Sequence, residues 1–447
     1  MRHLDQVLLL VALAAQPTLG QEQGHAGHAI GPASQTVTLL APYTSCTVAG
    51  AGRFLVFHLA DRDEAAVVDL HERRIALTIP HCPAGTLLAG GRNCLLIVQP
   101  TQNLVQRYDL DTLKRSKVRP LVDQGPVERA VMGACGDGPL LAAGREAILL
   151  DVDSLQPLEI TGTVIGGLGR FGYELRVSAD GRTFTGIPTG YGPVGYSVMR
   201  IDGHQTTVAS FGSTSHAVRW AQPTADGSLI LLPGGQLLAG TLEPLAAKPF
   251  EGSTLFPTVD PRYFLSCRFA VTQDGRDVTQ AAICTVADLR TVLTVSGLEE
   301  MAPTGNTAAR MSIADRLRRG EIRYHFIPAT KVFVTLPYDN QQVVIRDFDL
   351  FETLDSSGEN YLFVDSVPPR QGRRGQKLTY QIAAHSNHGR PKYELQSGPD
   401  GMTVNRTGLL KWKVPKDFPA ETAAAIIAIR DRANQDVLHS LRIAIQD

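Results

Sequence analysis

Short apolar runs, each closed by a turn, recur along the chain from about residue 35 to residue 365. They are rich in β-branched and aromatic side chains and too short for helices, so they predict β-strands. The second run of each pair ends in a polar step that often contains Asp, as in Val67-Val68-Asp69-Leu70. One residue in each such run serves as a repeat mark, and the marks are Asp69, Asp109, Asp151, Arg200, Ala239, Thr285 and Arg346.

The spacing of these marks indicates a structural repeat, with successive gaps of 40, 42, 49, 39, 46 and 61 residues. A repeat of roughly 40–50 residues that contains several short strands is typical of a β-propeller, in which small sheets stack around an axis. Asp-Gly turns at Asp180-Gly181 and Asp226-Gly227 stand where hairpins need them. The marks predict seven blades, and the strand at 36–40 is expected to complete the last blade and close the ring.

Two stretches carry a family likeness: VSADGRTFTGIP at 177–188 and IPATKVFVTLPYDNQQVVIRDFDL at 327–350. They resemble blades of the WD40-like and YVTN-type β-propeller superfamily, and the resemblance covers about residues 35–365. It implies the propeller fold and leaves the function open, because propellers host both binding and catalysis. The chain departs from the Gly-His…Trp-Asp signature of WD40 repeats, since neither of its tryptophans is followed by Asp.

The pattern changes at residue 365, where a double proline and a Gly- and Arg-rich stretch predict a domain boundary. The remainder, 366–447, is predicted to be a small β-sandwich of short strands. These strands are expected at 377–383, 392–395, 401–405, 409–414, 423–430 and 438–445.

The stretch GPDGMTVNRTGLLKWKVP at 398–415 resembles the Ig-like (cadherin-like) domain of bacterial surface proteins. The resemblance implies an Ig-like sandwich over 366–447, with Trp412 as a core anchor and Lys411 and Lys413 pointing outward. Calcium-binding relatives carry acids in a loop that here reads His385-Ser386-Asn387-His388, so calcium is not expected there. The glycosylation pattern Asn405-Arg406-Thr407 is explained by the turn that it forms.

The first 20 residues predict a signal peptide, because Arg2 and His3 precede an apolar run and small residues precede a cut after Gly20. The run is shorter than the ~20 residues of a membrane span, and no other segment reaches that length. A polar spacer with two histidines follows at 21–34. The mature chain is therefore expected to be secreted, periplasmic or bound at the cell surface, without a membrane span.

The charge of the chain narrows the possible partners. The net charge of −1 gives no reason to expect a nucleic acid. Residues 366–447 contain 13 Lys+Arg and 7 Asp+Glu, so their net charge is +6 and that of the rest of the chain is −7. A solvated basic face explains this difference, and an acidic partner is the alternative.

Cys267 and Cys284 fall on neighbouring strands of one hairpin, where export would permit a disulfide, while two buried free thiols are equally compatible.

Few residues suggest chemistry. The G-x-G-x-x-G pattern at 167–172 precedes a strand instead of the helix that a dinucleotide site requires, so a loop between blades is expected. The inner-strand acid Glu174 could supply one ligand of a lactonase-like metal centre, but no further ligands can be assembled. A helix is expected at 307–319, on the surface of the last blade. Two histidine pairs lack the third ligand that zinc requires: His25 with His28, and His385 with His388.

The sequence therefore predicts an exported, non-catalytic binding or scaffold protein, with no catalytic, cofactor-binding or metal-binding residue. The propeller face would recognise a protein or glycan partner of the cell envelope, and the Ig-like domain would act as a spacer or adhesion module. The alternative is a propeller enzyme, such as a metal-dependent hydrolase or lactonase, with its active site at the central channel. Three or more carboxylate, amide or imidazole groups converging on one point of the channel would favour that alternative.

Overall fold

The computed structural model describes residues 28–121, 127–165, 173–188, 195–211, 220–245, 250–271, 277–299 and 321–446. Strands dominate these residues, as the sequence predicted. The described α-helix is α1, Leu350–Ser357, which begins after Asp349 because the Asp349 carboxylate accepts hydrogen bonds from two backbone N–H groups of the first turn. Among the described residues, no helix is both long enough and apolar enough to cross a membrane.

Seven sheets follow one another in the described residues up to Asp347, and each is an antiparallel meander. In chain order the strands are β1 (His28–Ala29), β2 (Gln35–Thr38), β3 (Ser45–Ala49), β4 (Phe54–Leu59), β5 (Glu64–Asp69), β6 (Arg74–Pro80), β7 (Leu87–Gly90), β8 (Cys94–Gln99), β9 (Leu104–Asp109), β10 (Lys114–Pro120), β11 (Arg129–Val131), β12 (Leu140–Ala143), β13 (Ala147–Leu150), β14 (Tyr173–Val177), β15 (Thr183–Pro188), β16 (Tyr196–Asp202), β17 (Gln205–Phe211), β18 (Gln222–Pro223), β19 (Leu229–Leu231), β20 (Leu237–Ala239), β21 (Pro244–Leu245), β22 (Thr254–Pro257), β23 (Tyr263–Val271), β24 (Asp277–Thr285), β25 (Thr291–Ser296), β26 (Tyr324–Ile327), β27 (Val332–Thr335) and β28 (Gln342–Asp347). The first to seventh sheets contain β3–β6, β7–β10, β11–β13, β14–β17, β18–β21, β22–β25 and β26–β28.

The N-terminal strands join two of these sheets. β2 pairs antiparallel with β28, so the start of the described chain supplies the fourth strand of the seventh sheet, as expected for 36–40. β1 pairs parallel with β25, and the Ser34 hydroxyl accepts a hydrogen bond from the Asp347 N–H at 2.7 Å. The described part of the predicted spacer is thus attached to the sixth and seventh sheets.

The repeat marks have a common structural place: each lies in, or directly after, the third strand of its own sheet. In the first two sheets the mark is Asp, and its carboxylate closes the turn to the fourth strand. Asp69 accepts from the His71 N–H at 2.9 Å, and Asp109 accepts from the Thr112 N–H at 2.8 Å. A short side chain that bonds backbone two or three residues ahead is a local turn device, which explains why the pattern is legible in the sequence.

The sheets bury both faces because they stack on one another. In β4, Phe54 and Val56 pack against the second sheet, whereas Leu55 and Phe57 pack against the seventh. The same alternation holds around the described structure, with one hydrophobic cluster between each pair of successive sheets and one between the seventh and the first. The sheets therefore form a ring, and the first strand of each sheet, called its inner strand, faces the centre.

The remaining strands form a sandwich around a separate core that contains Trp412. They are β29 (Leu362–Val364), β30 (Gln371–Arg373), β31 (Lys377–Gln381), β32 (Ala384–Ser386), β33 (Lys392–Ser397), β34 (Thr403–Val404), β35 (Leu409–Lys413), β36 (Thr422–Arg430) and β37 (Asp436–Gln446). One sheet has the order β30-β37-β36-β33, the other has the order β31-β35-β34, and β29 pairs with β32. All six strands expected here are found, while β29, β30 and β32 were not predicted; β32 occupies part of the expected histidine loop.

Trp412 is 1% exposed, and its indole N–H donates to the Asp400 carbonyl at 3.2 Å. Lys411 and Lys413, its neighbours on β35, are exposed, as predicted from the alternation along the strand. The Asn405 side chain accepts from the Thr407 N–H at 2.9 Å and from the Leu409 N–H at 2.8 Å, which is the turn role inferred for the glycosylation pattern.

The thiols of Cys267 and Cys284 are free, so the structure corresponds to the second of the two alternatives and not to the disulfide. Cys267 stands opposite Ala281, and Cys284 is three positions further along β24, which places it on the other face of the sheet. Cys267 accordingly packs between the sixth and seventh sheets, and Cys284 packs between the fifth and sixth. Burial raises the pKa of Cys284 to about 12, so this thiol stays protonated.

Candidate functional site

A cavity of about 720 Å³ lies where the inner strands converge. Lining residues come from the inner strand of each of the seven sheets, except that the fifth and sixth contribute mainly the ends of theirs, at Pro223 and Pro257. The cavity is therefore the central channel that a ring of stacked sheets creates. Concave sites of this size are the usual place for a ligand or for a segment of a partner protein.

Two inner strands point charged side chains at this cavity. Arg129 begins β11, and Glu174 and Arg176 lie two residues apart on β14, so they share one face of that strand. Side chains on the opposite face of the same strands, Ala130 and Leu175, are buried in the clusters between neighbouring sheets. The alternation of the strands thus sends the apolar side chains into the ring and the charged ones into the channel.

The three charged side chains form one cluster. The Glu174 carboxylate accepts a hydrogen bond from Arg176 Nη1 at 3.0 Å, and its other oxygen lies 3.6 Å from Arg129 Nη2. One carboxylate is thus shared by two guanidinium groups. Glu174 does line the channel, but its partners are arginines and not the other ligands of a metal centre.

A second cluster of polar side chains lies next to the start of β26. The Tyr43 hydroxyl donates to Glu321 at 3.3 Å, and Arg323 Nη2 lies 3.2 Å from the same carboxylate oxygen. Arg323 is fully buried and also donates to Asn340 Oδ1 at 2.6 Å and to the Leu336 carbonyl at 3.0 Å. A buried guanidinium with this many acceptors holds the loops around it together, and its charge balances that of Glu321.

His325 also contributes to the lining, although its side chain is buried. Its Nε2 atom has no hydrogen-bond partner among the described residues. Burial lowers the pKa of His325 to about 4, so the imidazole is neutral near pH 7. Across the described part of the chain, no three His, Cys, Asp or Glu side chains are grouped as a metal site would require.

The sandwich packs against one face of the ring. Because the first and third strands of a meander run in the same direction, the turns after them lie on the same face. The sandwich meets three such turns: Arg370 pairs with Asp226 after β18, Arg442 lies 2.6 Å from Glu243 after β20, and His439 contacts Asp288 after β24. These contacts all belong to the face at which the inner strands end.

The charged clusters of the cavity lie at the opposite face. Arg129 is the first residue of β11, Glu174 is the second of β14, and Glu321 lies three residues before β26. This end of the cavity, defined by Arg129, Glu174 and Glu321, is called the mouth. The sandwich therefore leaves the mouth uncovered.

A buried hydrogen-bonded chain joins the sandwich to the ring. His439 Nδ1 lies 2.9 Å from Asp288 Oδ1, and because a carboxylate only accepts, the imidazole donates. The other ring nitrogen lies 3.1 Å from the Tyr380 hydroxyl, which is 2.7 Å from Ser366 Oγ. His439 is 0% exposed and Asp288 is 5% exposed, so this contact between the two parts of the chain is dry.

A second buried carboxylate, Asp365, lies in the same interface. It contacts His385 at 2.8 Å, Arg262 at 3.1 Å and the Tyr263 hydroxyl at 3.2 Å. Burial alone would raise the pKa of Asp365, but the hydrogen bond to His385 and the charge of Arg262 outweigh it and lower the pKa below its ordinary value. His385 thus binds the carboxylate that Arg262 and Tyr263 of the ring contact, a role that its place in an expected loop did not suggest.

The other residues singled out in the sequence have structural places or lie elsewhere. His388 contacts Asn360 Oδ1 at 2.7 Å, His28 belongs to β1, and Trp220 is buried between the fifth and sixth sheets. The strand expected after the glycine pattern is β14, which continues into a hairpin with β15. The signal peptide, His25, the glycine pattern at 167–172 and the helix expected at 307–319 lie outside the described residues.

The ring of sheets around a central channel defines the class of the protein, a β-propeller with a C-terminal β-sandwich. No protein-family model matches the chain, and no curated protein matches it in sequence. Among solved structures, it is similar to the Cps50 (Swd1) β-propeller domain of Myceliophteria thermophila, with 12% identity, 70% of this chain and 99% of that chain covered, and a TM-score of 0.44. It is also similar to the WD40 repeats of RRP9, with 10% identity, 71% and 99% covered and a TM-score of 0.46. The likeness to U3-55K has 9% identity, 71% and 100% covered and a TM-score of 0.47. At these values no activity or partner follows for this chain.

Proposed function

We propose that the chain is an exported, non-catalytic binding protein: a seven-bladed propeller whose mouth receives a segment of a protein partner, with an Ig-like sandwich fixed to the opposite face. The observation that carries this proposal is the composition of the mouth. Its acids are paired with arginines, the side chains below them are largely aliphatic, and the sandwich lies on the opposite face of the ring.

The proposed fold is supported by agreement between the sequence repeat and the arrangement of the sheets. Seven repeat marks fall in seven sheets, and hydrophobic clusters join those sheets in a ring. The Ig-like assignment is supported by two sheets packed over Trp412, with the turns around it as the resemblance implied. Export is supported by the residue pattern of positions 1–20 and by the expected class of surface proteins.

A protein partner is favoured over a glycan by the lining of the cavity. Leu87, Val131 and Val177 are half-buried and present aliphatic surface, which suits the side chains of a peptide. Sugar rings are commonly held on aromatic faces. The aromatic residues of the described lining, Tyr43 and Phe326, are instead buried in the ring, at 2% and 0% exposure.

The sandwich is proposed to be a fixed extension and not a swinging spacer. Its contacts with the ring include the dry pair of His439 with Asp288 and the buried carboxylate Asp365. Groups of this kind are costly to separate once buried. A fixed sandwich would hold the mouth facing away from whatever the C-terminal part adheres to in the cell envelope.

The test is site-specific photocrosslinking in cells that produce the whole chain. A photoreactive amino acid replaces Thr47, which lines the cavity, or Val118, which is exposed on the outermost strand of the second sheet. We expect a discrete protein adduct from position 47 and none from position 118. Failure to obtain an adduct at 47, or the same adducts at both positions, would contradict the proposal.

A companion measurement addresses the enzyme alternative. Elemental analysis of the purified chain is expected to find no stoichiometric divalent metal. A tightly bound metal, lost together with a hydrolytic activity on chelation, would instead support the metal-dependent hydrolase or lactonase.

A further inference from the structure

We infer that the sandwich binds an acidic polysaccharide through a lysine-bearing face of the sheet β31-β35-β34. This surface, called the lysine face, is defined by Lys377 on β31 and by Lys411 and Lys413 on β35. It is a different surface from the mouth. The inference rests on the export and the adhesive role proposed for the sandwich, since it names what the sandwich adheres to.

The pairing of the strands brings the three lysines together. Lys377 stands directly opposite Lys413 in the register of the sheet. The Val414 N–H donates to the Gln376 carbonyl at 3.0 Å, so the next pair, Lys377 with Lys413, is a non-hydrogen-bonded pair. In such pairs the Cα atoms are only about 4.5 Å apart and the side chains are closest. Lys411 lies two positions from Lys413, about 7 Å along the same strand and on the same face.

No carboxylate balances this charge in the described sandwich. Residues 366–446 are described without a gap, and within them the ammonium groups of the lysine face form no ion pair and no hydrogen bond. The acids that flank these strands in the sequence, Asp400 and Asp417, form no ion pair there either. The other exposed side chains of the three strands are uncharged, namely Thr379, Gln381 and Thr403.

Protection of a sheet edge does not explain these lysines. Lysine on an edge strand deters pairing with another chain, but β35 is the central strand and pairs with both β31 and β34. Like charges directly opposite each other destabilise a sheet. A local arrangement that lowers stability without a compensating contact is expected at a functional surface.

The lysine face fits a hydrated, extended anion. The large apolar side chain that the described sandwich exposes, Leu438, belongs to β37 in the other sheet. Membrane and protein surfaces bind through buried apolar area as well as charge, so neither fits this face. The hydroxyls of Thr379 and Thr403 flank Lys411 and can donate to and accept from sugar hydroxyls. Charge pairing supplies the affinity here, so no aromatic side chain is required.

The experiment measures binding of the purified full chain to immobilised polysaccharides by biolayer interferometry. The probes are polygalacturonate, which carries carboxylates, and dextran sulfate, with neutral dextran as the control. We expect binding to at least one acidic probe and none to dextran. The affinity should fall at least about tenfold between roughly 0.1 M and 1 M salt, because the screening length drops from about 10 Å to about 3 Å.

Two double variants test the role of the lysines. Lys411→Gln with Lys413→Gln should weaken binding at least about fivefold, since two exposed ion pairs are lost. The sandwich of this variant should melt no lower than that of the wild type, because the repulsion between Lys377 and Lys413 is relieved. Lys114→Gln with Lys392→Gln is the matched control: it removes the same charge from exposed positions of other sheets and should leave the affinity within about twofold.

The outcomes separate this inference from the proposed function. No binding to either acidic probe, or equal losses in the two double variants, overturns the inference. Binding only to vesicles of equimolar phosphatidylglycerol and phosphatidylcholine, lost with Lys411→Gln and Lys413→Gln, overturns it in favour of an anionic membrane. A sandwich that melts markedly lower in that variant assigns the lysines a structural role and also overturns it. The adduct from position 47 tests the mouth and is expected whether or not a polysaccharide binds.

Discussion

The buried pair between the sandwich and the ring allows a sharp test of how the two parts are joined. Asp288→Ala removes the acceptor of His439 Nδ1 and leaves this nitrogen of a fully buried imidazole without its partner. We expect the contact to lose about 3 kcal/mol. This lies between the ~1–3 kcal/mol of an orphaned buried hydrogen-bonding group and the ~3–5 kcal/mol of half of a buried ion pair.

This loss should appear in the unfolding of the sandwich. For a domain of this size, each kcal/mol shifts the melting temperature by roughly 4–8 °C, so the sandwich should melt roughly 12–24 °C lower. Differential scanning calorimetry should therefore show a new early transition, while the ring melts as before. Limited proteolysis just below that transition should release the ring from residues beyond about 365.

The matched control is Glu243→Ala, which removes the acid of an exposed pair across the same interface. Glu243 and Arg442 are 53% and 65% exposed, so their pair should contribute little. An Asp288→Ala protein that melts like the wild type, or a Glu243→Ala protein that loses as much, would refute the view that the dry contact holds the two parts together.

Three further predictions follow from buried groups. Burial keeps the pKa of His325 at about 4, below its value in the unfolded chain. The free energy of unfolding should therefore fall by up to roughly 3 kcal/mol as the pH drops from about 6.5 towards 4. His325→Leu should make the free energy of urea unfolding depend less on pH over that window, and an unchanged pH dependence would contradict the burial of His325. Trp412→Ala should cost roughly 3–5 kcal/mol and unfold the sandwich first in calorimetry; a melting curve identical to the wild type would show that Trp412 is not its core anchor. The thiols of Cys267 and Cys284 should react with a thiol reagent in denaturant and not in the native protein, and a disulfide between them in non-reducing peptide mapping would show that the structure has the wrong alternative.

The turns at the Asp marks could be predicted from the sequence, whereas the charge pairs at the mouth could not. Asp69 and Asp109 bond backbone groups two or three residues away, so the sequence itself contains both partners. Arg129 and Glu174 are 45 positions apart, on inner strands of two different sheets, and no local pattern links them. The sequence suggested Glu174 as a possible metal ligand, whereas the structure pairs it with Arg176 on its own strand and with Arg129 on the neighbouring sheet.

The contacts between the sandwich and the ring were even less predictable from the sequence. His439 and Asp288 are separated by 151 positions, and each looks like an ordinary polar residue of a strand or turn. His385 seemed part of a loop pair, yet its partner is Asp365, at the predicted domain boundary. A boundary derived from composition does not show whether the two parts are loosely linked or docked.

The sequence by itself determined most of the strands, the repeat and the all-β class, because periodicity, turn residues and side-chain-to-backbone hydrogen bonds act over a few residues. Only the tertiary structure decided which charged groups meet at the mouth, which face the sandwich covers, and that Cys267 and Cys284 lie on opposite faces of their sheet. Those outcomes depend on how sheets stack and dock, and stacking brings together residues that are distant in the chain. The physical reason is that short-range hydrogen bonding selects the elements, whereas burial and charge pairing between elements select the site.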